Sequence, residues 1–134
     1  MKTAIVTDST AYLTLEERNS YNVHMIPLSV NIEGTFYDEE IDITASEFYD
    51  RVRGAAEFPK TTQPSVGKFV ELYETLGKDY DEIVTIHLSS GISGTFQGAV
   101  QAGAMVEGIN VHAFDSEVAA YLQGFYVKEA AKLA

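Results

Sequence analysis

The chain has 134 residues, 46% apolar and 22% charged, the ordinary balance of one globular domain with a real core. Its net charge of −11 argues against nucleic acid and anionic membrane surfaces, which select basic partners. The absence of cysteine excludes disulfides, thiolate catalysis and thiolate metal sites, and is compatible with a cytosolic home. The apolar part of Met1–Val6 is too short for a signal peptide, and nothing approaches the roughly 20 apolar residues of a transmembrane helix. The expectation is a soluble cytoplasmic protein with no stable membrane insertion.

Ala4-Ile5-Val6 reads as a short buried strand that ends in a hydroxyl-rich loop, Thr7-Asp8-Ser9-Thr10. Thr14 and Glu17 form a capping-box pattern and predict a helix from Leu15 to about Tyr21. Val23–Ile26 is a second strand, and Pro27 fits an edge position better than a central one. Leu28, Val30 and Ile32 then alternate with Ser29, Asn31 and Glu33, and Glu33-Gly34 offers a turn into Thr35-Phe36-Tyr37. That is an antiparallel β-hairpin with one buried face, expected as a flap on the edge of the main sheet. The carboxylates of Asp38-Glu39-Glu40 and Asp42 read as a solvated acidic loop, with a basic partner as the sharper alternative.

Thr44 and Glu47 form a second capping box, and Ile43 and Phe48 are spaced for a hydrophobic staple. The helix they open should cover about Ala45 to Arg53 and stop near Gly54. Pro59 and Pro64 bracket an extended segment that holds Thr61 and Thr62. Ser65 is placed to cap a helix from Val66 to Leu76, ended by Gly77. Glu82–Leu88 is the clearest buried strand, and it runs into the loop Ser89-Ser90-Gly91-Ile92-Ser93-Gly94-Thr95. The helix that follows, about Gly94 to Val106, carries Gly98, Ala99, Ala102 and Gly103, small enough to let it lie close on a sheet. Asn110–Phe114 is the next strand, ending in Asp115-Ser116. The last helix repeats apolar residues at Val118, Leu122, Phe125, Tyr126, Ala130 and Leu133, close to a 3.6-residue period. It reaches Ala134 without a glycine, asparagine or proline to end it, which predicts the N-terminal domain of a larger protein.

Strands alternating with helices predict an α/β fold, a mostly parallel sheet flanked by helices in the Rossmann-like manner. In such sheets the loops leaving the carboxyl ends of the strands converge on one edge, where ligands bind. The hydroxyl-rich loops should therefore meet, and their small residues allow backbone N–H groups and hydroxyls to approach an oxygen-rich group. Ser9, Thr61, Thr62, Ser93 and Gly94 are the candidate ligand-binding residues, and the helix opened by Gly94 favours an anion at its N-terminus. Each has a plainer alternative. Ser93 can cap its helix, Thr62 can belong to an ordinary turn, and Ser9 and Asp8 can order the first loop.

Catalytic templates fit poorly. The residue two after Ser93 is Thr95, so the G-x-S-x-G elbow fails. No lysine follows the glycines as in a P-loop, and the dinucleotide glycine pattern is absent. His24 and His112 read as core or edge residues. His87, two residues before the serine loop, is the histidine best placed to approach a ligand, but no carboxylate lies beside it in sequence to build a triad. No metal-ligand spacing is present.

The ordered set Thr7-Asp8-Ser9-Thr10, Asp42-Ile43-Thr44 with Glu47-Phe48-Tyr49, Thr61-Thr62-Gln63-Pro64-Ser65, Ser89 to Gln97 and Phe114-Asp115-Ser116 resembles the DegV family. The resemblance covers nearly the whole chain but only the first domain of a family whose members are about twice as long. It implies a protein that binds a long-chain fatty acid between two domains, with no cofactor. In one branch it implies a carrier that presents the acid's carboxylate to a separate ATP-dependent fatty acid kinase, of the dihydroxyacetone-kinase-like type, which makes an acyl phosphate. The family's carboxylate contacts map onto Thr62 and Ser93, and the basic and histidine contacts come from the second domain. Thr62 stands where the family usually has serine, and Ala119-Ala120-Tyr121-Leu122-Gln123-Gly124 replaces a glycine-richer start to the last helix. The competing functions are a small-molecule hydrolase using Ser93 and a module for a phosphate-bearing ligand.

Overall fold

The computed structural model describes residues 1–134. Four parallel strands form the main sheet in the order β2-β1-β6-β7: β1 (Thr3–Asp8), β2 (Val23–Ile26), β6 (Glu82–His87) and β7 (Asn110–Asp115). Helices α1 (Leu15–Tyr21), α3 (Val66–Leu76), α4 (Thr95–Met105) and α5 (Ala120–Leu133) flank it. β1 shows why the sheet is covered on both sides. Ala4 and Val6 pack with Phe69, Tyr73, Ala99 and Ala102 under α3 and α4, whereas Ile5 packs with Ala11, Leu13 and Val127 near α5. Successive side chains of a strand face opposite ways, so an unbroken apolar run needs helices on each face.

The helix starts follow their local chemistry. Thr14 and Glu17 close the capping box of α1, and Thr44 and Glu47 close that of α2 (Ala45–Arg53). Ile43 and Phe48 share one apolar cluster with Val30 and Ile32, as a staple requires. Ser65 caps α3 by accepting from the Lys68 N–H. Gly103 allows α4 to lie on β7, since a Cβ there would stand 3.0 Å from that of Val111.

The hairpin departs from the expectation of a flap on the main sheet. β3 (Ser29–Ile32) and β4 (Thr35–Asp38) instead form a second, antiparallel sheet with β5 (Lys60–Thr62), in the order β4-β3-β5. The segment between Pro59 and Pro64 supplies this third strand, with Ser29, Val30 and Asn31 opposite Thr62, Thr61 and Lys60. Pairing satisfies the backbone groups of β3 that would otherwise form an open edge. Proline has no N–H to continue the ladder, so the strand stays short.

The repeating apolar face of α5 also takes an unanticipated direction. Its buried residues are Gln123, Gly124 and Val127, while Leu122, Phe125 and Leu133 are 61%, 59% and 89% exposed. Gly124 fixes this rotation, because a Cβ there would stand 2.6 Å from the carbonyl oxygen of Ala11. No helix is long and apolar enough to cross a membrane.

Candidate ligand-binding site

The carboxyl ends of β1 and β6 are tied by Asp8, which is buried and accepts from both sides. Its Oδ2 takes the Nδ1–H of His87 at 2.9 Å and the Leu88 N–H at 3.2 Å. Its Oδ1 takes the Thr10 N–H at 2.9 Å, the Thr10 hydroxyl and the Gln123 Nε2 at 3.1 Å. Burial works against the charge of Asp8, but the hydrogen bonds from His87, Thr10 and Gln123 hold its carboxyl below the usual value. Gln123 also donates to Thr7 Oγ1 and lies 2.8 Å from the Thr10 hydroxyl through Oε1, so α5 is wired into the same cluster. The turn of Ser9–Ala11, the start of the serine loop and α5 are thereby held in one arrangement.

This cluster lies beneath the surface. The ring of His87 is buried, with Nε2 2.5 Å from the Thr85 hydroxyl and its edge against Phe69. Neighbouring Tyr73 is likewise buried, and burial pushes its phenol up to about 12, against a smaller opposing effect of the Thr85 hydroxyl. His87 thus spends both ring nitrogens in the core and is not among the residues lining a cavity. His24 is half-buried and His112 is exposed on β7.

Above the cluster the serine loop folds on itself. Ser89 O accepts the Ile92 and Ser93 N–H groups, Ser90 bonds Asp115 through its N–H and hydroxyl, and the Ser89 N–H reaches Val118 O. Asp115 is held below its usual value chiefly by Ser90. Gly94 is the N-cap of α4 and provides no side-chain cap. Ser93 partly fills that role, accepting from the Thr95 N–H at 3.2 Å and lying 2.8 Å from the Thr95 hydroxyl. The cap and ligand readings are therefore not exclusive, because a hydroxyl oxygen that accepts from a backbone N–H keeps a proton to donate. No imidazole is hydrogen-bonded to Ser93, whose hydroxyl partners Thr95.

A cavity of about 400 Å³ opens at this point, lined by Thr10, Tyr12, Glu39, Thr61, Ser93 and Gly94 among others. Gln63 from the threonine loop packs on Gly94 so closely that a Cβ there would stand 2.2 Å from its Oε1. A second, mainly apolar cavity of about 160 Å³ shares Tyr12 and Glu39 with the first and is walled by Val30, Ile43, Phe48 and Tyr49. The first volume is of the order that small-molecule sites occupy, a few hundred Å³ or more.

Of the five candidate residues, Thr61, Ser93 and Gly94 line one cavity. Thr62 is the exposed end of β5, opposite Ser29, and falls outside that lining, as the alternation of neighbouring strand residues requires. Ser9 is buried; its hydroxyl donates to Glu39 Oε2 at 2.8 Å and accepts from the Leu28 N–H at 3.0 Å, so it stands behind the cavity wall. Glu39 itself was hidden in the acidic run of the sequence, which reads as a solvated loop. It is only partly exposed. Burial pushes its carboxyl up, Ser9 opposes the shift, and the charges of Asp8 and Glu40 add to it. Tyr12 carries another mark of a constrained site, a left-handed backbone with φ of 52°. No group of three or more His, Asp or Glu side chains is gathered as a metal site.

A parallel α/β sheet with Thr10, Thr61 and Ser93 gathered beside one cavity defines an α/β domain with a candidate ligand site at its edge. The family model described as "uncharacterised protein, DegV family" matches residues 2–134, and the chain belongs to the DegV family. It is 50% identical to protein DegV of Bacillus subtilis over 133 residues, 99% of this chain and 47% of that protein. A DegV domain-containing protein of Listeria monocytogenes is 46% identical over 134 residues, with the same shares covered. The crystal structure of DegV from Bacillus subtilis, described as a fatty acid binding protein, superposes with a TM-score of 0.97 at 50% identity, covering 99% of this chain and 47% of that one. A DegV family protein from Thermus thermophilus, described by its fatty acid binding, superposes with a TM-score of 0.90 at 36% identity and the same coverage. The chain thus spans about half the length of the curated relatives it matches.

Proposed function

We propose that this chain is the carboxylate-holding domain of a fatty-acid carrier. The observation that carries this reading is the meeting of Thr61, Ser93 and Gly94 on one cavity that adjoins an apolar one. Neutral hydroxyls hold a carboxylate without neutralising it, through hydrogen bonds to a charged acceptor worth about 1.5–3 kcal/mol each. Apolar walls reward burial of an acyl chain at roughly 0.8 kcal/mol per methylene. Thr62 is a second hydroxyl on the same strand, at the position the family resemblance assigns to the carboxylate. Ser9 acts through the wall by fixing Glu39. The relatives described as fatty acid binding proteins support the ligand class.

In this reading a second domain closes the site and supplies basic contacts, and the carrier presents the acid to a separate kinase of the dihydroxyacetone-kinase-like type. The chain's sequence has neither a P-loop nor a kinase-like lysine motif, so a phosphoryl donor site falls to the partner. Purification of the full-length protein from cells, followed by extraction and mass spectrometry, should yield a long-chain fatty acid; a phosphorylated metabolite in its place would sink the reading. Incubation of the loaded protein with Mg-ATP, with and without the kinase, and trapping of acyl phosphate with hydroxylamine tests the presentation step. Product is expected only with the kinase.

A further inference from the structure

Tyr12 lines three neighbouring cavities, and no other residue lines all three. It stands with Thr61 and Ser93 in the first, with Phe48 and Tyr49 in the apolar one beside α2, and with Tyr121 and Phe125 in a narrow cleft of about 30 Å³ against α5. Its backbone is fixed from both sides. Asp8 caps the preceding turn through the Thr10 N–H, the Tyr12 N–H closes that turn on the carbonyl of Ser9, and Ala11 and Leu13 are buried in the core. The Tyr12 side chain is turned the other way and is 58% exposed, so it adds little to that core. With φ of 52° and ψ of 32° the residue is left-handed, a conformation that suits glycine or asparagine and disfavours a large side chain. A bulky aromatic held there at a cost, outside the core, marks a ring whose role lies beyond the fold. Burial, followed by Glu39, Tyr49 and Glu40, raises its phenol above the usual value, so the ring meets the cavities uncharged. A carboxylate held at Thr61 and Ser93 sends its chain towards one of the adjoining apolar spaces, and Tyr12 is the wall common to both.

We propose that Tyr12 is a ligand-binding residue whose ring packs against the methylenes next to the fatty acid's carboxyl group and guides the chain from the hydroxyl cavity onto the apolar walls. The inference rests on the fatty-acid reading above. The left-handed turn is the device that places the ring, because it swings one side chain outward between two buried neighbours. An aromatic ring suits the task, since it offers a large flat face and has only two side-chain torsions to order on binding. The hydroxyl is not needed for that contact, which separates this role from a hydrogen bond to the carboxylate.

The test is calorimetry of the full-length protein with sodium oleate, beside thermal melts. Tyr12→Gly keeps the left-handed turn and removes the ring. It should melt no lower than the wild type, yet bind oleate about tenfold more weakly, which is what burying roughly two methylenes is worth. A residue that only supported the fold would lose stability and affinity together. Tyr12→Phe keeps the ring and should bind as the wild type does. A direct readout comes from protein grown on 3-fluorotyrosine, in which the fluorine resonance that Tyr12→Phe deletes should shift when oleate is added. If Tyr12→Gly melts lower than the wild type, that resonance decides alone. Oleate binding with the resonance unmoved, or unchanged affinity in Tyr12→Gly, overturns the role of Tyr12 and leaves the fatty-acid reading standing. So does a loss in Tyr12→Phe as large as that in Tyr12→Gly, which assigns the contact to the hydroxyl. Absence of oleate binding by the wild type overturns the fatty-acid reading itself and this inference with it.

Discussion

At the scale of single residues, each hydroxyl near the cavity can serve the fold and a ligand at once, and only substitution separates the two. Ser93 accepts from the Thr95 N–H, so Ser93→Ala exposes one helix-end donor and also removes the proposed carboxylate contact. In the full-length protein it should weaken fatty acid affinity by about 1–3 kcal/mol, the range for losing a hydrogen bond to a charged group. Calorimetry showing unchanged affinity would leave Ser93 a helix cap and nothing more. Asp8 makes a different prediction, about stability. A buried donor left without its acceptor costs about 1–3 kcal/mol, and Asp8 accepts from His87, Leu88, Thr10 and Gln123, so Asp8→Asn should lower the denaturant midpoint. The sign of its pH effect follows from the lowered carboxyl: stability from Asp8 is present above its unfolded value and is lost as pH falls through the folded one. Glu39, raised in the fold, acts oppositely; its contribution is present below its unfolded value and fades as pH rises through the folded one. Asp8→Asn should therefore flatten the acid limb of a stability-against-pH curve, and an unchanged acid limb would remove Asp8 from that account.

At the scale of elements, the caps were legible because they are local. Thr14 with Glu17 and Thr44 with Glu47 specify helix starts within four residues, and both boxes close as read. The place of the serine loop at the carboxyl edge of the main sheet was legible from topology, since parallel strands deliver their loops to one edge. The threonine segment instead reaches it as β5 of the second, antiparallel sheet. What sequence concealed depends on long-range packing. The partner of β5 is β3, some thirty residues earlier, and nothing local names it. Glu39 looks like its acidic neighbours until Ser9 and Tyr12 fold beside it. Gln123 reads as a polar interruption on α5 until it bonds Asp8 and Thr10. Gly124 offers the sharpest element-scale test. By helix propensity alone Gly124→Ala should stabilise by about 1 kcal/mol. The absent room between α5 and the Ala11 carbonyl reverses that, and overpacking should cost about 1–3 kcal/mol instead. A raised melting temperature in Gly124→Ala would show that α5 can shift freely, and that Gln123 does not pin it.

At the scale of the whole molecule, two surfaces invite a covering partner. Tyr121, Leu122, Phe125 and Tyr126 stand exposed along α5, with Phe114 of β7 edge-on to Tyr126. The ligand cavity is open, and its polar wall has no cation to complement a carboxylate. A second domain like that of relatives twice as long would explain both, by burying the apolar face and adding the missing basic group. Contiguous apolar surface of this kind favours association when it is left bare. Residues 1–134 alone should therefore bind fatty acid far more weakly than the full-length protein and should self-associate through α5. Analytical ultracentrifugation should show a concentration-dependent dimer that Leu122→Glu and Phe125→Glu dissolve, since neither side chain is in the core. Oleate titration of the same monomeric variant should show weak binding. Tight, stoichiometric binding by that monomer would mean that the cavity beside Ser93 is already a complete site, and that the second domain serves presentation and not affinity.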